Sequence, residues 1–233
     1  MITNPKRRKS VVKFLFGFYK KIYLKIIKMT DVPSIKITLL GNPGVGKTCI
    51  ISRYIDDVFD ENNAPTIGAN YSEKTITKNG KEYELNIWDT AGQEKFHSLG
   101  KHFYKEAYVV CLVYDITSQE SLDQLKTIWY PDLQKYGEKY TILAVVGNKS
   151  DLYEGDNLAD ENVAREFAKE IGATFVLTSA KSGEGIEKLF DTLTDRFLSP
   201  EFNPKYEEMM KMKGNTQVLK QNDNQPKKKK KCC

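Results

Sequence analysis

Gly41-Asn42-Pro43-Gly44-Val45-Gly46-Lys47-Thr48 fits the pattern G-x-x-x-x-G-K-[ST] at every fixed position. It stands between a short apolar run, Ile35 to Leu40, and a helical period, Lys47 to Tyr54. Strand, glycine-rich turn and helix in that order commit this part of the chain to an open α/β sheet, with the turn at a carboxyl strand end. Glycines let backbone N–H groups turn inward, and the helix that follows points its positive end at the same spot. The segment Pro43, Gly44, Val45, Gly46, Lys47, Thr48, Cys49 is therefore a cradle for phosphate groups. In such a cradle Lys47 supplies charge to the terminal phosphates, and the Thr48 hydroxyl is suited to ligate Mg²⁺.

The rest of the chain agrees with that architecture. Tyr71 to Lys78 and Glu82 to Trp88 alternate around Lys78-Asn79-Gly80-Lys81, whose Asn-Gly pair signals a tight hairpin. Tyr108 to Tyr114 and Thr141 to Gly147 are continuous apolar runs, as strands buried on both faces require, and Thr174 to Thr178 is a shorter one. Helical periods fall between them at Ser121 to Tyr136, Asn157 to Ile171 and Gly185 to Phe197. The expected fold is α/β: a mostly parallel, six-stranded sheet with one antiparallel strand and helices on both faces. Residues 34–200 suffice for one such domain. Before it lie residues 1–33, and after it residues 201–233, a polar stretch without sustained apolar period that reads as a flexible tail.

Asn148-Lys149-Ser150-Asp151 follows a predicted strand and speaks to the base. A carboxylate such as Asp151 accepts both N–H donors on the Watson–Crick edge of guanine. Adenine lacks that pair and presents a ring acceptor, which a buried carboxylate repels. Phosphate cradle and carboxylate together imply GTP or GDP. Trp88-Asp89-Thr90-Ala91-Gly92-Gln93-Glu94 ends another strand: Asp89 suits Mg²⁺, the Gly92 N–H can approach the last phosphate, and Gln93 can orient a water. Ala64-Pro65-Thr66-Ile67-Gly68 lies between the phosphate loop and the Asp89 segment, where Thr66 can reach Mg²⁺ when a third phosphate is present. Ser179-Ala180-Lys181 follows the last strand, in position to offer its backbone to the base carbonyl. Gln93, Lys47 and Thr66 form the expected catalytic set, and Thr48, Thr66 and Asp89 the metal set.

On these residues the chain resembles the Ras superfamily and, within it, the Rab family of vesicle-traffic GTPases, over about Ile35 to Phe197. Thr66-Ile67-Gly68-Ala69-Asn70-Tyr71, Ile87 to Phe96, Leu112-Val113-Tyr114-Asp115-Ile116-Thr117 and the terminal Lys-Cys-Cys carry the Rab character. Ile67-Gly68-Ala69 and Phe96-His97-Ser98-Leu99 look closest to the early-endosomal branch. The resemblance implies a P-loop NTPase G domain and a monomeric GTPase, anchored on the cytoplasmic face of an internal membrane and cycling with cytosol. Its implied partners are an exchange factor, an activating protein, a dissociation inhibitor, an escort protein with geranylgeranyl transferase, and membrane effectors. It also implies that Tyr71, Trp88 and Phe103 form an effector-binding triad; as plain core aromatics they would need no such role. Pro43 departs from the family pattern, where a small residue is usual. Its ring abuts the space for the attacking water, so a nucleotide-locked tether is the rival to an active enzyme. A kinase or ATPase sharing the cradle fails on Asn148 to Asp151.

Charge is concentrated at the ends. The formal net charge is +5, yet Lys6, Arg7, Arg8, Lys9 and the lysines up to Lys28 exceed that surplus before the domain begins. The folded part is then net acidic, which argues against a nucleic-acid-binding face. Between Val11 and Lys28 there is no acid; Val11, Leu15, Phe18, Ile22 and Ile26 share one side of a helical wheel, Lys13, Lys20, Lys21 and Lys28 lie away from it, and Lys25 borders it. That is a basic amphipathic helix suited to a membrane interface, too interrupted by lysine to span one. A start at Met29 is the plainer alternative. Cys232 and Cys233 follow the lysine run Lys227 to Lys231 and resemble the Rab substrate for double geranylgeranylation. Cys49 and Cys111 have apolar neighbours, and neither a disulfide framework nor a zinc-ligand spacing is present, which suits a reducing compartment.

Overall fold

The computed structural model describes residues 32–61, 64–66, 68–90, 103–138, 140–154 and 158–202. The expectations for the amino-terminal helix, Gly92, Gln93, Phe96 to Leu99, the polar tail, Cys232 and Cys233 lie outside these residues. The described residues divide into two compact units, residues 32–35 with 73–86 and residues 36–72 with 87–202. In the first, Asn79 (φ 53°) and Gly80 (φ 71°) both take the left-handed conformation that a two-residue hairpin turn demands. There the Pro33 carbonyl accepts from the Glu84 N–H at 3.1 Å. The second unit contains every described residue to which the sequence assigned a nucleotide role.

Strands β1 (Ser34–Leu40), β2 (Ala69–Lys78), β3 (Lys81–Thr90), β4 (Val109–Asp115), β5 (Ile142–Asn148) and β6 (Thr174–Thr178) form one sheet in the order β2-β3-β1-β4-β5-β6. It is a mixed sheet with one antiparallel strand. Every residue of β4 and β5 is buried, as their unbroken apolar runs require. In the parallel register Asp115 pairs with Asn148 and Asn148 with Thr178, so these polar residues stand level at the carboxyl ends of adjacent strands. They mark where the apolar runs stop and the loops that build the site begin.

Helix α1 (Lys47–Asp56) and α5 (Ile186–Phe197) meet through Tyr54 and Phe190, whose rings stack 3.8 Å apart. Val110, Leu112, Tyr114, Leu143 and Val145 of the sheet pack in another cluster, with Leu122, Leu125, Leu133, Ala164 and Phe167. Leu122 comes from α2 (Gln119–Gln124), Leu133 from α3 (Tyr130–Tyr136), and Ala164 and Phe167 from α4 (Glu161–Glu170). Cys111 lies fully buried in β4, and burial pushes its thiol up to about 12, as suits a small core hydrophobe rather than a reactive group.

Two helices depart from the sequence reading. The period expected over Ser121 to Tyr136 is interrupted by a π turn, Leu125–Trp129, between α2 and α3. Pro131 explains it, because proline has no N–H to donate and its ring clashes with the carbonyl four residues back. The helix expected from Asn157 begins instead at Glu161, where Asp160 Oδ1 accepts from the Asn162 and Val163 N–H groups. An N-cap of this kind sets the start more firmly than periodicity does.

These two kinds of contact differ in energy. Leu112→Ala opens a cavity beneath the helices and should cost about 2–5 kcal/mol, whereas Asp160→Ala removes one cap and should cost about 0.5–2 kcal/mol. Equilibrium denaturation at saturating GDP measures both, and equal losses would contradict this account of the core.

Candidate nucleotide site

The described loops at the carboxyl strand ends enclose a cleft of about 390 Å³. Pro43, Gly44, Gly46, Lys47, Thr48, Cys49, Thr66, Asn148, Lys149, Asp151, Ala180 and Lys181 all line it, bringing together segments the sequence had marked separately. Val45 and Ser179 lie behind the wall, at 2% and 0% exposure. Phe59, Asp60, Glu61 and Leu152 also face the cleft. Sequence reasoning gave these no role, since a polar loop after α1 and a leucine after Asp151 carry no motif.

The phosphate-loop end depends on close backbone approach. Gly46 has φ +92°, and a Cβ there would stand 2.3 Å from Asn148 Nδ2. That nitrogen donates to the Val45 carbonyl at 2.9 Å. Asn148 Oδ1 accepts from Thr178 Oγ1 at 3.1 Å and from the Ala180 N–H at 3.3 Å. The asparagine, 1% exposed, thus ties the phosphate loop to the segment after β6. Lys149 is turned into the left-handed region (φ 69°), and its Nζ pairs with Asp115 Oδ2 at 2.5 Å. Asp151 accepts at Oδ1 from Ser179 Oγ at 2.5 Å. Its carboxylate is exposed rather than buried; the exclusion of adenine therefore needs a ligand covering it, not a site closed in advance.

Charge and oxygen ligands gather at the other end. Lys47 Nζ donates to the Gly41 and Asn42 carbonyls at 2.7 and 2.9 Å. Burial draws its ammonium down to about 8, against the opposing influence of Asp89. Thr48 Oγ1 donates to Asp89 Oδ2 at 2.6 Å, and the Thr48 and Thr66 hydroxyls share a hydrogen bond at 2.7 Å. Thr66 Oγ1 also lies 3.3 Å from Asp89 Oδ2. Burial raises the Asp89 carboxyl above its usual range, opposed by the Thr48 hydrogen bond and the Lys47 charge. Asp89 Oδ1 is buried with no hydrogen-bond partner. Oxygen ligands from two hydroxyls and a carboxylate, one oxygen of it unsatisfied, fit a small hard cation.

A family model described as "Ras family" matches residues 36–220. The chain belongs to the Ras family. Ras-related protein Rab-31 of Mus musculus is 40% identical over 177 residues, covering 75% of this chain and 90% of that protein. Ras-related protein Rab-31 of Homo sapiens is 41% identical over 166 residues, 71% of this chain and 84% of that protein. Ras-related protein Rab-22A of Mus musculus is 39% identical over 170 residues, 73% and 87% respectively. This Ras-family chain is a Rab-type small GTPase: it binds guanine nucleotides and hydrolyses GTP to GDP.

Within this Ras-family cleft the two glycines make a sharp comparison. Gly44 has φ +78° with open space around its Cβ position, whereas Gly46 adds a 2.3 Å clash to its own positive φ. Gly46→Ala should lower GDP affinity at least about tenfold more than Gly44→Ala, a difference of about 1.4 kcal/mol. Isothermal titration of both variants checks this, and equal affinities would contradict the packing of Gly46 against Asn148.

Proposed function

We propose that the chain is a membrane-anchored GTP/GDP switch of endosomal traffic, recruiting effectors when GTP-bound. The observation that carries the nucleotide part is the single cleft shared by Lys47, Thr48, Thr66 and Asp151. In this reading Pro43 to Cys49 hold the phosphates, with Lys47 charged against them. Asp151 takes the two guanine N–H donors, Lys149 flanks the base, and Ser179, Ala180 and Lys181 present backbone to its carbonyl. Thr48, Thr66 and Asp89 hold Mg²⁺, which supplies charge compensation at the terminal phosphates. The Gly92 N–H meets the last phosphate and Gln93 positions the attacking water, with Lys47 and Thr66 completing the catalytic set.

Effector choice rests on Tyr71, Trp88 and Phe103. Tyr71 is 45% exposed and meets the Trp88 ring edge-on at 5.2 Å, with Phe103 6.3 Å beyond Trp88. Aromatic side chains presented together at a surface favour a partner's apolar anchor over solvent. The cycle needs an exchange factor, an activating protein, a dissociation inhibitor, and an escort protein with geranylgeranyl transferase acting on Cys232 and Cys233. The domain architecture is a basic extension over 1–33, a GTPase domain over 34–200, and a tail over 201–233. The protein acts as a monomer on the cytoplasmic face of an endosomal membrane. Among the described residues no helix is long and apolar enough to cross a membrane, and two prenyl chains beside a lysine run give stable anchoring without one.

Three experiments test this reading. Asp151→Asn puts a donor where guanine has a donor, and GDP affinity should fall by about 2–4 kcal/mol; an unchanged affinity would remove Asp151 from the base site. Gln93→Leu should keep GTP binding yet lose the rate stimulated by an activating protein, worth about 10³–10⁵-fold in the Ras template. Pro43→Gly should alter the rate with little change in affinity, and wild-type rates in both variants would refute the catalytic assignment. In cell fractionation, deletion of Cys232 and Cys233 should release the protein to cytosol, while a start at Met29 should leave most of it bound. Pelleting of the cysteine-less form in high salt would make the first 28 residues the anchor.

A further inference from the structure

Arg53 lies in the last turn of α1 and belongs to none of the nucleotide motifs, yet its guanidinium reaches the segment after β6. Its Nε donates to the Ala180 carbonyl at 2.8 Å and its Nη2 to the Lys181 carbonyl at 2.9 Å, across 127 and 128 residues of chain. Its Nη1 donates to the Asp57 carbonyl at 3.0 Å and to Asp57 Oδ1 at 2.8 Å. The arginine side chain is 17% exposed and the Asp57 side chain 90% exposed.

Peptide planarity makes these bonds directional. A peptide whose carbonyl is fixed has its N–H fixed on the opposite side. The Ala180 carbonyl shares its plane with the Lys181 N–H, so the Arg53 Nε bond sets where that donor points. The Lys181 carbonyl shares its plane with the Ser182 N–H, which donates to Ser179 Oγ at 3.0 Å. That hydroxyl in turn donates to Asp151 Oδ1 at 2.5 Å. A continuous path therefore runs from Arg53 through Lys181, Ser182 and Ser179 to the carboxylate that reads guanine. The fork of the guanidinium is what permits it, since two carbonyls and Asp57 are bonded by one planar group.

We infer that Arg53 is a positioning residue for base recognition: it aims the Ser179–Ser182 segment and, through Ser179, the Asp151 carboxylate. The inference rests on the reading of Asp151 as the guanine acceptor. The competing explanation is an ordinary surface pair with Asp57 that steadies the end of α1. Pairs of that kind are worth little, and Asp57→Ala removes this one while leaving the bonds from Arg53 to the Ala180, Lys181 and residue 57 carbonyls.

The test compares dissociation of GDP and inosine diphosphate from the full chain. Inosine lacks the exocyclic amine, so it engages the carboxylate through one N–H fewer. Arg53→Ala should speed GDP release about tenfold, the effect of losing charge-assisted bonds worth about 1.4 kcal/mol. It should speed inosine diphosphate release less, narrowing the preference for guanine, and Asp57→Ala should leave both rates within about twofold of wild type. A general loosening of the fold would speed both nucleotides alike, and that result, or an equal effect of Asp57→Ala, overturns the inference. Arg53→Lys retains the charge without the fork and should fall between wild type and alanine; it carries the test if Arg53→Ala does not fold. Asp151→Asn in the same assay separates the two levels. If it leaves the guanine preference intact, the base-site reading fails; if it abolishes the preference and Arg53 variants do not alter it, only the role of Arg53 fails.

Discussion

At the carboxyl end of β5 the Asn148 amide donates from Nδ2 to the Val45 carbonyl and accepts at Oδ1 from Thr178 and Ala180. The phosphate loop, the strand that carries the base motif and the segment after β6 thus converge on one side chain with 1% exposure. A buried amide left without these partners would carry the full desolvation cost of each polar atom. The register makes the arrangement possible, since Asn148 stands level with Asp115 on one side and Thr178 on the other. Gly46 follows from it, because any Cβ there would collide with the same amide. The phosphate loop and the segments after β5 and β6 are therefore not independent grafts on the sheet; they share a support.

The other end of the cleft is built for a charge that the protein alone does not supply. Lys47 is buried, held by two carbonyls and drawn down to about 8. Asp89 is pushed upward by burial and keeps one oxygen without a hydrogen-bond partner. Under the proposed function, phosphate oxygens opposite Lys47 and a cation opposite Asp89 would relieve both costs and link folding stability to nucleotide occupancy.

Much of this was legible in the sequence for physical reasons. Unbroken apolar runs located β4 and β5 because strands buried on both faces have no polar side to reveal a period. The Asn79-Gly80 pair located the hairpin because both residues tolerate positive φ. Most of the residues lining the cleft belong to motifs, and Thr66 shares hydrogen bonds with Thr48 and Asp89. What the sequence concealed are contacts between distant, motif-free residues. Arg53 meets Ala180 across 127 residues. Trp129 Nε1 donates to Asn42 Oδ1 across 87 residues. The π turn before Pro131 was hidden because an apolar period survives one extra residue. The exposure of Asp151 was misjudged because side-chain burial there depends on what fills the cleft.

The dependence of both halves of the site on Asn148 can be measured directly. Amide hydrogen exchange on the GDP-loaded full chain, wild type against Asn148→Ala, reports the phosphate loop and the segment after β6 separately. The account predicts that the amides around Val45–Lys47 and those of Ser179–Lys181 lose protection together, each by about tenfold or more, the loss of about 1.4 kcal/mol of local stability. Loss confined to one segment, or protection unchanged in both, would show that the phosphate and base halves are held independently.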